Sequence, residues 1–154
     1  MVERLVNEFG TPLAEDSSRR AFPTPAQIAE VHPDLLRSLI RLGYRAPYVH
    51  ELGTRIASGE LDLEALKNHQ LTTAELQKSL LGIKGVGNYA AANLLMLLGR
   101  YDFIPIDSWA LKVVSREWYQ GEPVGPTEVK AAFERWGEWK GLAFWLWDWS
   151  IHED

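Results

Sequence analysis

An all-α fold is predicted for this 154-residue chain, and three observations carry the prediction. Apolar residues recur at helical spacing along most of its length, two capping boxes open helices at Thr24 and Thr72, and no alternating run is long enough for a useful strand. At this length the chain can bury one core, or two small helical lobes.

The elements follow in order. Thr24 as N-cap, Pro25 at the first helical position and Gln27 three residues after the cap predict a short helix. His32-Pro33 ends it and begins the next, in which Leu35, Leu36, Leu39 and Ile40 form one stripe that Gly43 stops. Val49, Leu52 and Ile56 repeat at the same spacing up to Ser58-Gly59, and a short helix is expected around Leu63 to Leu66. Thr72 with Glu75 opens a helix that carries Leu76 and Leu80 inward. From Asn88 to Leu98 the chain is apolar on nearly all sides, which predicts a helix through the centre of its lobe. After Asp107, "SWALKVVSREWY" reads as a helix and "QGEPVGPT" as a linker. Val129, Ala132, Phe133 and Trp136 then line one helix, and Leu142, Trp145, Leu146 and Trp149 line the last. The tryptophans at 109, 118, 136, 139, 145, 147 and 149 fall at spacings that favour core packing over a stacking platform for bases.

Composition excludes several classes. No run of 18 apolar residues occurs, so a membrane span and a membrane partner are not expected. The absence of cysteine excludes disulfides, cysteine-bound zinc and iron–sulfur clusters, and His32, His50 and His69 show no metal-ligand spacing. The amphipathic, acidic opening "MVERLVNEFG" matches neither a secretory signal nor a transit peptide, so a cytoplasmic location is expected, nucleoid-associated in a bacterium. A net charge of -5 runs against bulk phosphate binding. The average hides a gradient: residues 34–116 carry 10 Lys+Arg against 8 Asp+Glu, residues 1–33 carry 3 against 5, and residues 117–154 carry 3 against 8. Ordinary surface variation produces gradients of this size too.

The mildly basic segment contains "IKGVG" at 83–87, set between two apolar helices. Gly85 and Gly87 allow a sharp turn and close backbone approach, while Val86 is expected to plug into the core. Amides at the start of the following helix favour an anion such as phosphate, and Lys84 would add a charged contact. Glycine spacing alone also fits a plain helix–helix turn.

The larger pattern is more specific. "LLGIKGVGNYAAANLLMLLG" followed by "RYDFIPID" resembles the helix–hairpin–helix and Gly/Pro-rich, aspartate-terminated loop of the helix-hairpin-helix Gly/Pro-Asp DNA glycosylase superfamily. Upstream, "LIRLGYRAPYVHELGTRIASGELDLEAL" resembles the segment that precedes the hairpin in that family. The resemblance implies a helical lobe over 21–118 containing hairpin and aspartate loop, with 1–20 and 119–154 forming a reduced second lobe. It also implies double-stranded DNA with a damaged base as partner, a monomeric protein, and flipping of the target nucleotide. Residues Ile83, Lys84, Gly85, Val86 and Gly87 would be the DNA-binding hairpin. A monovalent cation on hairpin carbonyls is the one ion that the family implies.

Asp107 matches the family's catalytic aspartate. A carboxylate beside C1′ stabilises the positive charge that develops on the deoxyribose and can orient or deprotonate water. Asp107 is also well placed to cap the helix after it, and both roles can hold together. Members that cut the backbone carry a lysine two residues past the last hairpin glycine; here that position is Tyr89, which implies base removal without lyase activity. Aromatic candidates for the base pocket are Tyr44, Tyr48, Tyr89, Tyr101, Phe103 and Trp109, with Tyr44, Tyr89 and Trp109 singled out. Arg45 and Arg100 are candidate phosphate contacts, although solvated faces account for them equally. The resemblance also implies a further helix before the point at which this sequence begins, with part of the damage-site wedge coming from that region. An alkylated purine is the expected substrate, with oxidised guanine the alternative, and a non-catalytic module for damaged or bent DNA the reading from another class.

Overall fold

The computed structural model describes residues 1–67 and 70–147, and is helical as predicted. His69 and Trp149 lie outside the described residues. Among those residues there are nine α-helices: α1 (Val2–Phe9), α2 (Pro25–Glu30), α3 (Pro33–Ser38), α4 (Ala46–Ala57), α5 (Thr73–Leu81), α6 (Asn88–Leu97), α7 (Ser108–Trp118), α8 (Pro126–Phe133) and α9 (Lys140–Trp147). Short 3₁₀ segments cover Gly43–Arg45, Glu64–Lys67 and Glu134–Trp139. The one extended pairing among the described residues is an isolated bridge between Pro12 and Arg20.

Local signals account for the helix starts. At Thr24 the side chain accepts from the Gln27 N–H and the Gln27 side chain accepts from the Thr24 N–H; Thr72 and Glu75 repeat the arrangement. His32 caps α3, its Nδ1 accepting from the Asp34 N–H at 3.3 Å.

Helix ends and faces depart from expectation in three places. The stripe of α3 does not run to Gly43: the helix closes at Ser38, Arg41 already takes a left-handed conformation (φ 61°), and the Leu42 N–H returns to the Leu36 carbonyl. Leu36 and Ile40 are fully buried while Leu35 and Leu39 remain exposed, because only one side of this short helix meets a neighbour. Helix α6 buries Ala91, Ala92 and Leu95 against α5, but Leu97 is 82% exposed, so α6 is not enclosed on all sides. In α9, Phe144 takes the buried position and Leu146 stays exposed.

The chain divides into two compact units, residues 1–66 with 83–85 and residues 67–82 with 86–154. This division differs from the expected 21–118 lobe with a second lobe made from both ends. In the first unit Leu5 of α1 is buried with Ile28, Val31, Leu36, Ile40 and Ala46, which binds the N-terminal helix to α2–α4. In the second unit Ile104, Ala110 and Val114 are buried with Val129, Phe133 and Phe144, which binds the C-terminal helices to α7.

Aromatic rings fill that second core. Phe133 makes ring contacts with Trp118, Trp136, Phe144 and Trp147 at 5.3 to 5.7 Å, in edge-on or tilted arrangements. Trp109, Trp118, Trp136, Trp145 and Trp147 therefore pack against this core, as their spacing predicted, whereas Trp139 is exposed. Replacing Phe133 with Ala should lower stability by about 3–5 kcal/mol, read as a shift in the denaturant midpoint, since the cavity opens at the centre of the cluster. A loss below about 1 kcal/mol would mean the neighbouring rings collapse into the space.

Candidate functional site

The glycine turn joins α5 to α6. Gly82 caps α5, and Ile83, rather than the expected Val86, is the buried residue of the turn; Val86 is only half-buried. Gly85 has φ 89°, a region that L side chains rarely adopt, and a Cβ there would lie 2.6 Å from Cδ2 of Tyr48. The ring of Tyr48, one of the six aromatic candidates for the base pocket, forms the floor on which the turn is seated. Gly87 is the N-cap of α6 and offers no side chain to cap it, so the first amides of α6 keep their donor capacity for another acceptor.

Lys84 is exposed, as expected, but paired. Its Nζ lies 2.5 Å from Oε2 of Glu51 on α4. The hydrogen bond to Glu51, and then its charge, raise the lysine above its ordinary pKa. Because the folded value is the higher one, the pair's contribution is complete below the ordinary lysine pKa and is lost only as pH climbs through the raised value. At neutral pH the pair is intact.

Asp107 ends the loop after α6 and caps α7. Its Oδ1 accepts from the Trp109 N–H at 3.0 Å and from the Ala110 N–H at 2.9 Å. Both bonds fall on one oxygen, which fixes the carboxyl plane and leaves Oδ2 outside the cap. A half-buried carboxylate held in this way at a helix N-terminus can accept a proton from water or face a developing cation.

The remaining predicted residues scatter. Tyr89, in the first turn of α6, is 69% exposed, and Tyr44 is 68% exposed with the Arg45 guanidinium 4.5 Å above its ring. Trp109 is half-buried and meets Phe144 edge-on at 4.9 Å, so its ring serves the core of the second unit. Tyr101 stacks on Trp139. Arg100 borders a recess with Thr73, Tyr101, Asp102 and Trp139. A larger cleft of about 550 Å³ is lined by Asn88, Phe103, Ile106, Lys130, Glu134 and Lys140, among others; Asp107, Tyr89 and Trp109 are not in its walls. Among the described residues no group of three or more His, Asp or Glu side chains could hold a metal ion. Sequence reasoning missed Glu51, Thr73, Asp102 and Gly141. Each acts across at least 29 residues of chain, where no local spacing rule reaches.

A glycine hairpin between two helices, followed by an apolar loop that ends on a helix-capping aspartate, is the arrangement that the resemblance to the helix-hairpin-helix Gly/Pro-Asp DNA glycosylase superfamily implies, and the all-α fold is similar to that of solved DNA glycosylases. No protein-family model matches the sequence. Among curated relatives, the DNA-3-methyladenine glycosylase of Bacillus subtilis strain 168 is 29% identical over 150 residues, covering 94% of this chain and 48% of that protein. Among solved structures, the 3-methyladenine DNA-glycosylase of Archaeoglobus fulgidus is similar with TM-score 0.69 and 26% identity, over 98% of this chain and 51% of that one. The 8-oxoguanine glycosylase/lyase of Clostridium acetobutylicum, in complex with double-stranded DNA, is similar with TM-score 0.72 and 25% identity, over 92% of this chain and 49% of that one. The chain spans about half the length of the curated relatives it matches. Among the described residues no helix is long and apolar enough to cross a membrane.

Proposed function

We propose that this chain is a DNA glycosylase of base-excision repair that releases a damaged base by hydrolysis. The observation that carries the reading is Asp107, held by its cap at the end of the family's loop with one carboxylate oxygen uncommitted. In this reading the turn at Ile83–Gly87 binds backbone phosphates through its amides, the target nucleotide is flipped out, and Asp107 stabilises the cationic sugar while water attacks C1′. An alkylated purine such as 3-methyladenine is the favoured base, supported by the relatives that bear that name. The similarity to an 8-oxoguanine glycosylase/lyase supports oxidised guanine as the second substrate class. Tyr89 in the lyase lysine's position supports hydrolysis without strand cutting.

The test uses duplexes that each carry one defined lesion. Alkali-labile sites on the alkylated duplex, with no strand break before alkali, are the expected result. Binding without base release on every lesion would leave the hairpin as a DNA-binding module only. Strand breaks before alkali would overturn the monofunctional assignment.

The Glu51–Lys84 pair gives a second expected outcome. Phosphate must compete with Glu51 for this lysine, so Glu51→Gln should tighten DNA binding roughly two- to tenfold at low salt. Lys84→Ala should weaken binding and shallow the salt slope by about one unit. Titrations at several salt concentrations check both, and an unchanged slope in Lys84→Ala would place the lysine away from DNA.

A further inference from the structure

The loop between α6 and α7 is pinned from two directions within the second unit. From the start of α5, the Thr73 hydroxyl donates to the Asp102 carboxylate, with distances of 2.7 and 2.8 Å to its two oxygens. From the start of α9, the Gly141 N–H donates to the Tyr101 carbonyl at 2.5 Å. A Cβ at Gly141 would collide with the carbonyl oxygens of Phe103 and Tyr101, so only glycine lets this helix approach the loop so closely. Tyr101 also stacks on Trp139, with ring centroids 5.5 Å apart, and Ile104 and Pro105 are buried. The chain is therefore anchored from residue 101 to residue 105, immediately ahead of Asp107.

These anchors do something the N-cap cannot. The cap fixes the Asp107 carboxylate against α7, whereas the loop anchors fix the start of α7 against α5 and α9. We infer that Thr73 and Gly141 are positioning residues for Asp107, acting through the loop that ends on it; the inference rests on the glycosylase reading above. Misplacing a reacting group by about 1 Å can cost on the order of 10²-fold in rate, so small movements of this loop are felt in chemistry before they are felt in folding.

Thr73→Val keeps the shape of the side chain, removes the donor, and leaves the Thr72 capping box untouched. Single-turnover base release should fall roughly three- to tenfold, with the dissociation constant for lesion duplex unchanged within about twofold. Hydrogen exchange at amides 102–106 should quicken. Thr73→Ser, which restores the hydroxyl, should recover both the rate and the protection. Gly141→Ala should lower the rate by about tenfold or more with the same split between rate and binding. Wild-type rate and wild-type exchange in Thr73→Val, together with a wild-type rate in folded Gly141→Ala, would overturn the inference. A wild-type protein that releases no base from any lesion would overturn the glycosylase reading instead. In that case the exchange comparison of Thr73→Val with Thr73→Ser still decides whether the loop is held as described.

Discussion

Asp107→Asn should lose base release while keeping the fold and the grip on DNA. Asparagine offers the same Oδ1 acceptor to the Trp109 and Ala110 amides, so the start of α7 is preserved. What disappears is the negative charge and the proton acceptor on the oxygen outside the cap. General-base contributions are worth about 10²–10⁴ in rate, and the single-turnover constant should fall within that range. Lesion-duplex affinity should change less than about threefold, since the hairpin amides are untouched. Asp107→Ala removes the cap as well and should cost about 1 kcal/mol of stability in addition. An Asp107→Asn protein with full activity would move the water-activating group elsewhere in the chain.

Gly85→Ala should have the largest effect on DNA binding. Two separate penalties fall on the new methyl group. A φ of 89° places an L residue in a region that costs about 1–3 kcal/mol. The Cβ would also sit 2.6 Å from the Tyr48 ring, a distance at which ring or turn has to move. The turn would then shift off its floor and turn its amides away from a phosphate. DNA affinity is expected to fall about tenfold or more in an anisotropy titration, with a lowered thermal midpoint by circular dichroism. Pairing the change with Tyr48→Ala should restore only part of the stability, because the clash is relieved and the backbone strain is not. Unchanged binding in Gly85→Ala would mean that the turn does not face DNA.

The parts that were readable in advance share one property, short range. The capping boxes at Thr24 and Thr72 close within three residues of chain, and the cap at Asp107 closes within three as well. Ile83 and Val86 show the limit of that reading. Both are apolar residues in one turn, and which of them is buried depends on where other helices pass. Tyr48 makes the same point, since one of six aromatics that the sequence offers as pocket candidates lies against Gly85.

Sequence alone determined the helical class, the hairpin, the capping aspartate and the absence of a lysine at position 89, because each is written in local spacing and residue type. Tertiary structure alone decided the two-unit division, the pairing of Lys84 with Glu51 across 33 residues, and the anchoring of the loop ahead of Asp107 by Thr73 across 29. The physical reason is that hydrogen bonds and ion pairs depend on distance in space, and chain spacing fixes that distance only within a turn or two of helix.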